Sequence, residues 1–138
     1  MLYHPERLNG CHADLLRVFI DVGENYDCEV VQGARTLAAE QADEIAGTSH
    51  LHNPADSLHV ITPTRPYALA ADVAPVTLAN GAPVIDWNDP KPFWHFAGYV
   101  LAVADRYGIA ITWGGAWNGR TGWNHPGQLN DLDHFQKA

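Results

Sequence analysis

Apolar positions set the first outline of the chain. Between Ala13 and Val22, Leu15, Leu16, Val18, Phe19 and Val22 recur at helical spacing and predict a first helix. Cys28 to Val31 reads as a short strand. Thr36 to Ile45 reads as a second helix, with Thr36 as N-cap and Gly47 to stop it. His50 to Tyr67 is broken by Asn53-Pro54, Pro63 and Pro66, which predicts loop. Ala68 to Val73 is strand-like, and Val84 to Trp87 is a further short candidate. Phe93 to Tyr107 predicts a third helix with Phe96, Val100, Val103 and Ala104 on one face and Gly108 as its cap. Ile109 to Trp113 is rich in β-branched residues and predicts a strand. Gly114 to Gly127 reads as a Gly-, Asn- and Trp-rich loop, and Asp133 to Gln136 as a last strand. Helices and strands interleave through tight turns, which fits an α+β domain better than an open parallel sheet.

Length and composition narrow the class. The 138 residues suit one domain, taken as residues 1–138, and 46% apolar residues with five Trp exclude a disordered chain. The formal charge of −8 opposes binding to phosphate backbones and to anionic membranes, so neither nucleic acid nor a membrane is an expected partner. No stretch is apolar for long enough to span a bilayer, and Met1 to Gly10 lacks the features of a signal peptide. Synthesis in a cytoplasm is therefore expected. Two cysteines, Cys11 and Cys28, are too few for a disulfide framework and read as small buried residues.

Eight His in a chain of this size direct attention to metal. A catalytic zinc site takes three protein ligands from His and carboxylates and keeps a fourth position for water, with a further carboxylate nearby to carry its proton. Three segments offer such residues: Ser57-Leu58-His59, Ala70-Ala71-Asp72-Val73-Ala74-Pro75, and Asp131-Leu132-Asp133-His134-Phe135. Asp72 lies in an apolar strand, and a buried carboxylate needs a cation or a hydrogen-bonding partner. Each segment is a weak signal alone.

As an ordered set the signal is specific. Ser-x-His, Ala-x-Asp with apolar-Ala-Pro behind it, Trp113-Gly114-Gly115 and Asp-x-x-His-Phe resemble the D-alanyl-D-alanine carboxypeptidase and L-alanyl-D-glutamate peptidase family. Gln32-Gly33-Ala34-Arg35-Thr36 with Gln41 is similar to another family motif, and Ile85-Asp86-Trp87 and Trp113 to Trp117 look like its phage branch. The resemblance covers Leu15 to Gln136. It implies a short antiparallel sheet flanked by helices, a core shared with lysostaphin-type enzymes and the hedgehog signalling domain. It also implies zinc held by His59, Asp72 and His134, Asp131 as general base, and Arg35 beside the cleft to hold an oxyanion or a substrate carboxylate. Two departures stand out. Twelve residues separate His59 from Asp72, longer than the family pattern, which reads as a loop insertion around Pro63 to Pro66. Ala116 stands where the family has an acid, a change expected in the cleft wall.

Other readings compete at several positions. His50 and His52, with Asp56 behind them, could bind metal in place of His59 but read more simply as a polar loop. Strict strand alternation would turn Asp133 away from His134 and leave it solvated. Asp131 is the favoured base if it still belongs to the preceding loop. Trp113 is expected to be structural, with Trp117 or Trp123 nearer substrate, and His125 at the surface. His95 is expected to pack among aromatics. For Arg35 the cleft reading is favoured over simple pairing with a nearby acid.

The resemblance implies a zinc peptidase that cuts the L-Ala–D-Glu bond of peptidoglycan stem peptides, and a monomer is expected. As a phage endolysin it would reach the wall from the host cytoplasm at lysis. The alternatives are a D-Ala-D-Ala carboxypeptidase or dipeptidase, and a non-catalytic zinc-binding domain of hedgehog type.

Overall fold

The computed structural model describes residues 1–45, 57–116 and 131–138. Its elements in chain order are β1 (Leu2–Tyr3), α1 (Ala13–Asn25), β2 (Cys28–Gln32), α2 (Leu37–Ile45), β3 (Ala70–Pro75), β4 (Thr77–Ala79), β5 (Ala82–Val84), α3 (Lys91–Arg106), β6 (Ile111–Trp113) and β7 (His134–Lys137). One five-stranded sheet runs in the order β1-β2-β3-β7-β6. Its pairs are antiparallel except β1 with β2, which is parallel. The sheet is therefore mixed, where an antiparallel one was expected. The two residues of β1 are too few to show a period, so only their pairing with Cys28 and Glu29 reveals them as a strand.

Helices α1 and α3 pack on one face of this sheet. Leu15, Val18, Phe19 and Val22 of α1 are buried at helical spacing, as are Phe93, Phe96, Ala97, Val100, Val103 and Ala104 of α3. Phe135 of β7 sits between the helices, edge-on to Phe19 at 5.5 Å and to Phe96 at 5.9 Å between ring centroids. Alternation along β7 then turns the neighbouring His134 to the opposite face. Asp72, directly across the ladder from His134, shares that face. Packing on one side of the sheet thus positions chemistry on the other.

Local signals explain the helix ends. Thr36 caps α2 by accepting the Ala39 N–H at 3.1 Å, as its sequence predicts. His12 caps α1, its Nδ1 accepting the Asp14 N–H at 3.1 Å. The β4–β5 hairpin turns at Asn80-Gly81, both at positive φ, where the sequence reading had placed only a strand from Val84. Asn-Gly is a strong signal for this turn, and it was present to be read. Cys11 and Cys28 are buried free thiols, as expected, and burial pushes Cys28 up to about 12.

The long connection from His59 to Asp72 closes on itself. Leu69 N–H donates to Leu58 O at 2.7 Å, and the Thr62–Arg65 turn returns the chain. Arg65 Nη2 donates to Ser57 O at 2.5 Å and Val60 O at 2.9 Å, one carbonyl on each side of His59. Ala68 then docks on the segment before α1, donating to Gly10 O and accepting from His12 N, both at 2.8 Å. Extra chain is thereby absorbed without separating the ends that carry His59 and Asp72.

Gly33 is a point of close approach: a Cβ there would lie 1.9 Å from Arg7 O. Gly33→Ala is expected to destabilise the protein at the upper end of the ~1–3 kcal/mol range of overpacking. Urea unfolding of the two proteins measures this; a loss below about 0.5 kcal/mol would show that the Arg7 segment yields.

Candidate active site

Three atoms meet on the sheet face opposite α1 and α3. His59 Nε2 lies 3.2 Å from His134 Nδ1 and 3.4 Å from Asp72 Oδ1, and His134 Nδ1 lies 3.2 Å from Asp72 Oδ1. His59 and His134 are buried at 5% and 7% exposure, so water does little to screen this cluster.

The outer nitrogens of both rings fix which atoms face inward. His59 Nδ1 is 2.9 Å from Gly33 O, an acceptor only, so Nδ1 carries the proton and Nε2 presents a lone pair. His134 Nε2 is 2.9 Å from Gln136 Oε1, which by the same logic leaves the lone pair on Nδ1. Backbone groups hold His59 further, its N–H donating to Ser57 Oγ at 3.3 Å and its carbonyl accepting from Arg35 N at 2.7 Å. Two imidazole lone pairs and a carboxylate oxygen converge, which repels unless positive charge lies between them.

The spacing suits a metal ion. Ligand atoms about 2.0–2.1 Å from a tetrahedral zinc stand roughly 3.3–3.4 Å apart. The observed triangle fits this, and two nitrogens with one carboxylate are a donor set such a metal takes. Hydrogen bonds from the outer ring nitrogens supply the orienting contacts that metal-binding histidines usually have.

Without a cation, protons feel the same demand. Burial works to raise the Asp72 pKa, but hydrogen bonds and charge from His134 and His59 hold it well below the usual carboxylate range. Burial works to lower that of His134, yet the Asp72 hydrogen bond and charge raise it.

Two further acids border the centre. Asp131 Oδ2 is 3.7 Å from His134 Nδ1, and its side chain is 38% exposed, so it faces both the cluster and solvent. Asp133 was expected to be solvated, but it is half-buried, with its carboxylate grouped with those of Asp72 and Asp131. The reason is local: β7 begins at His134, so 131–133 form a turn and strand alternation does not apply. Burial, then the charges of Asp72 and Asp131, push Asp133 up to about 8.

The Trp-Gly-Gly motif holds this turn. Trp113 Nε1 donates to Leu132 O at 2.7 Å, and a Cβ on Gly114 would lie 2.2 Å from Asp131 O. Trp113 is accordingly structural. Ala116 packs against the hydrophobic core.

Arg35 sits beside His59 but is engaged. Its Nη1 donates to Glu40 Oε2 at 2.5 Å and its Nη2 to Gln32 Oε1. Glu40 is 1% exposed, whereas Gln41, matched from the sequence, is exposed. Glu40 lies four residues after Thr36 and one before Gln41, so only the rotation of α2 decides which of the two side chains is buried. His95 is exposed but packs against an aromatic as expected, its ring centroid 5.7 Å from that of Tyr26 and its Nδ1 2.7 Å from Tyr26 OH. His50, His52, Asp56, Trp117, Trp123 and His125 lie outside the described residues.

The class this defines is a small α+β domain with a His–Asp–His metal-type centre on the face of a mixed sheet opposite α1 and α3. Residues 4–136 match the phage L-alanyl-D-glutamate peptidase family, and the chain belongs to it. It is 36% identical over 93 residues to the L-alanyl-D-glutamate peptidase of Escherichia phage T5, a match that takes in 67% of this chain and 61% of that relative. The chain thus spans less than two thirds of that relative's length. Its fold is similar to the L-Ala D-Glu endopeptidase ChiX of Serratia marcescens, with a TM-score of 0.70 and 25% identity over 100% of this chain and 90% of that one.

The electrostatics predict opposite pH slopes with and without metal. In metal-free protein the folded state holds protons on Asp133 up to about pH 8, against about 3.9 unfolded, so stability falls as pH rises between these values. His134, also raised, acts in the same direction. Asp72 acts oppositely: its contribution is present above the unfolded value and lost only as pH falls through its lowered folded one. A bound cation needs deprotonated ligands, so its stabilisation grows with pH. Chemical unfolding at pH 5 and pH 8, in chelator and in zinc, should show the reversal, and Asp133→Asn should flatten the metal-free slope. A metal-free slope that Asp133→Asn leaves unchanged would contradict the assignment.

Proposed function

We propose that the chain is a zinc-dependent peptidase hydrolysing the L-alanyl-D-glutamate bond of peptidoglycan stem peptides. The observation that carries this reading is the triangle of His59 Nε2, Asp72 Oδ1 and His134 Nδ1, with both ring tautomers set by outside acceptors. Family membership supports the reaction, as do the activities named for the phage T5 and Serratia marcescens proteins.

His59, Asp72 and His134 would hold the zinc, which when bound acidifies a water and polarises a carbonyl. Asp131 stands at the solvent side of the centre, where a carboxylate can take the proton of the attacking water and return it to the leaving amine. Asp133 is half-buried beside the Asp131 carboxylate, with less access to solvent water, and burial and the charges of Asp72 and Asp131 push its carboxyl up in the metal-free protein. Trp113 and Gly114 let the 131–133 turn lie where this arrangement needs it. Arg35 contributes at the cleft edge through the groups that it holds.

The cellular role that fits is a phage lysis enzyme acting alone as a monomer. It would be made in the host cytoplasm and reach the wall through a holin-type pore. Among the described residues, no helix is long and apolar enough to cross a membrane.

Purified chain should carry one zinc, and Ala at His59, Asp72 or His134 should remove both metal and turnover. Full metal content in His59→Ala would take His59 out of the ligand set. Mass spectrometry of digested peptidoglycan should show cleavage between L-Ala and D-Glu; release of terminal D-Ala instead would favour a carboxypeptidase. Asp131→Asn should keep zinc and fold but lose about 100- to 10,000-fold in kcat. Asp133→Asn should cost much less, and the reverse order would transfer the base role to Asp133.

A further inference from the structure

Gln32 ends β2 and pairs with Asp72 across the ladder, just after a bulge-type register shift that follows the Val30–Val73 pair. Facing residues of an antiparallel pair project to the same side, their Cβ atoms about 4.5–5.5 Å apart, so Gln32 stands on the face that carries Asp72. Its side chain accepts a hydrogen bond from Arg35 Nη2. A guanidinium has donors only, so the amide must turn its oxygen to Arg35. The NH2 end is left pointing elsewhere and has no hydrogen-bond partner among the described residues.

Arg35 is itself held by Glu40, which is almost fully buried. Removing a carboxylate from water is costly without a charged partner, so this pair resists rearrangement. Glu40 holds Arg35, Arg35 holds the Gln32 oxygen, and Gln32 offers two N–H donors beside Asp72. The donors are neutral, so they can stand near a bound dication without like-charge repulsion.

We propose that the Gln32 amide NH2 donates to the carbonyl oxygen of the scissile peptide as negative charge develops there. The inference rests on the peptidase reading above. A donor held in place before the reaction stabilises that charge without reorganising, and losing one such donor typically costs about 100- to 1,000-fold in kcat. Arg35 acts as a positioning residue in this scheme, since it contacts Gln32 rather than the reacting atoms.

The decisive variant is Gln32→Glu. It keeps an oxygen for Arg35 but presents an acceptor where the amide presented a donor. Kinetics on purified stem peptides should show kcat lowered about 100-fold or more in Gln32→Glu and Gln32→Ala, with KM changed only a few-fold. Zinc content and melting temperature should stay near wild type. A phosphinate analogue of the L-Ala–D-Glu bond, tetrahedral at the reacting centre, should bind the variants about 100-fold more weakly. Arg35→Lys should lower kcat in the wild-type background and add little to Gln32→Ala, because both act through one donor.

If wild type turns over and Gln32→Glu keeps kcat within about threefold, Gln32 serves only to hold Arg35 and this inference is overturned. Full additivity of Arg35→Lys with Gln32→Ala would overturn the positioning role. If wild type with bound zinc releases no product from peptidoglycan or its peptides, the peptidase reading fails and this one falls with it.

Discussion

Two imidazole lone pairs and one carboxylate oxygen brought within about 3.4 Å of each other repel unless something positive lies among them. Most of the structure around the centre can be understood as the means of enforcing that approach. Gly33 O and Gln136 Oε1 occupy the outer nitrogens of the rings, so neither imidazole can escape by swapping its proton inward at no cost. The lowered pKa of Asp72 and the raised one of His134 express the same demand in protons. A metal ion placed among these atoms would therefore compete with protons for them.

The approach is enforced from the far side of the sheet. Phe135 is clamped between α1 and α3, and this sets both the register of β7 against β3 and the face on which His134 emerges. His59 comes from a loop and has no strand to set it. Its constraints are correspondingly many: hydrogen bonds from Arg35, to Ser57 and to Gly33, and Arg65 tied to the carbonyls on either side. The His59–Asp72 connection carries its own brace in Arg65, so its length does not loosen His59.

Buried charge is used twice in different ways. At the metal-type centre, a carboxylate and two imidazole lone pairs are collected in one place, which suits a site that takes a cation. At Glu40 the carboxylate is matched by Arg35, and the result is a fixed scaffold rather than a binding site. The turn at 131–133 stands between these cases: three carboxylates share a small volume, and a retained proton on Asp133 relieves the crowding while leaving Asp131 open to solvent.

The sequence by itself determined the three principal helices, most strands and the set of residues at the centre. Helical periodicity in 13–22 and 93–107 reports one-sided burial directly, and the order of His59, Asp72 and His134 among their neighbours is specific as a pattern. Tertiary structure decided what depends on residues distant in the chain. The parallel strand β1 exists only through its pairing with β2. The half-buried state of Asp133 follows from where β7 begins, which local alternation does not encode. The pairing of Arg35 with Glu40 rather than an empty cleft, and the exposure of Gln41, depend on how α2 is rotated against the sheet. A single chain displays spacing and chemistry along one dimension, whereas lone-pair direction, burial and charge pairing arise only when separate segments are brought together.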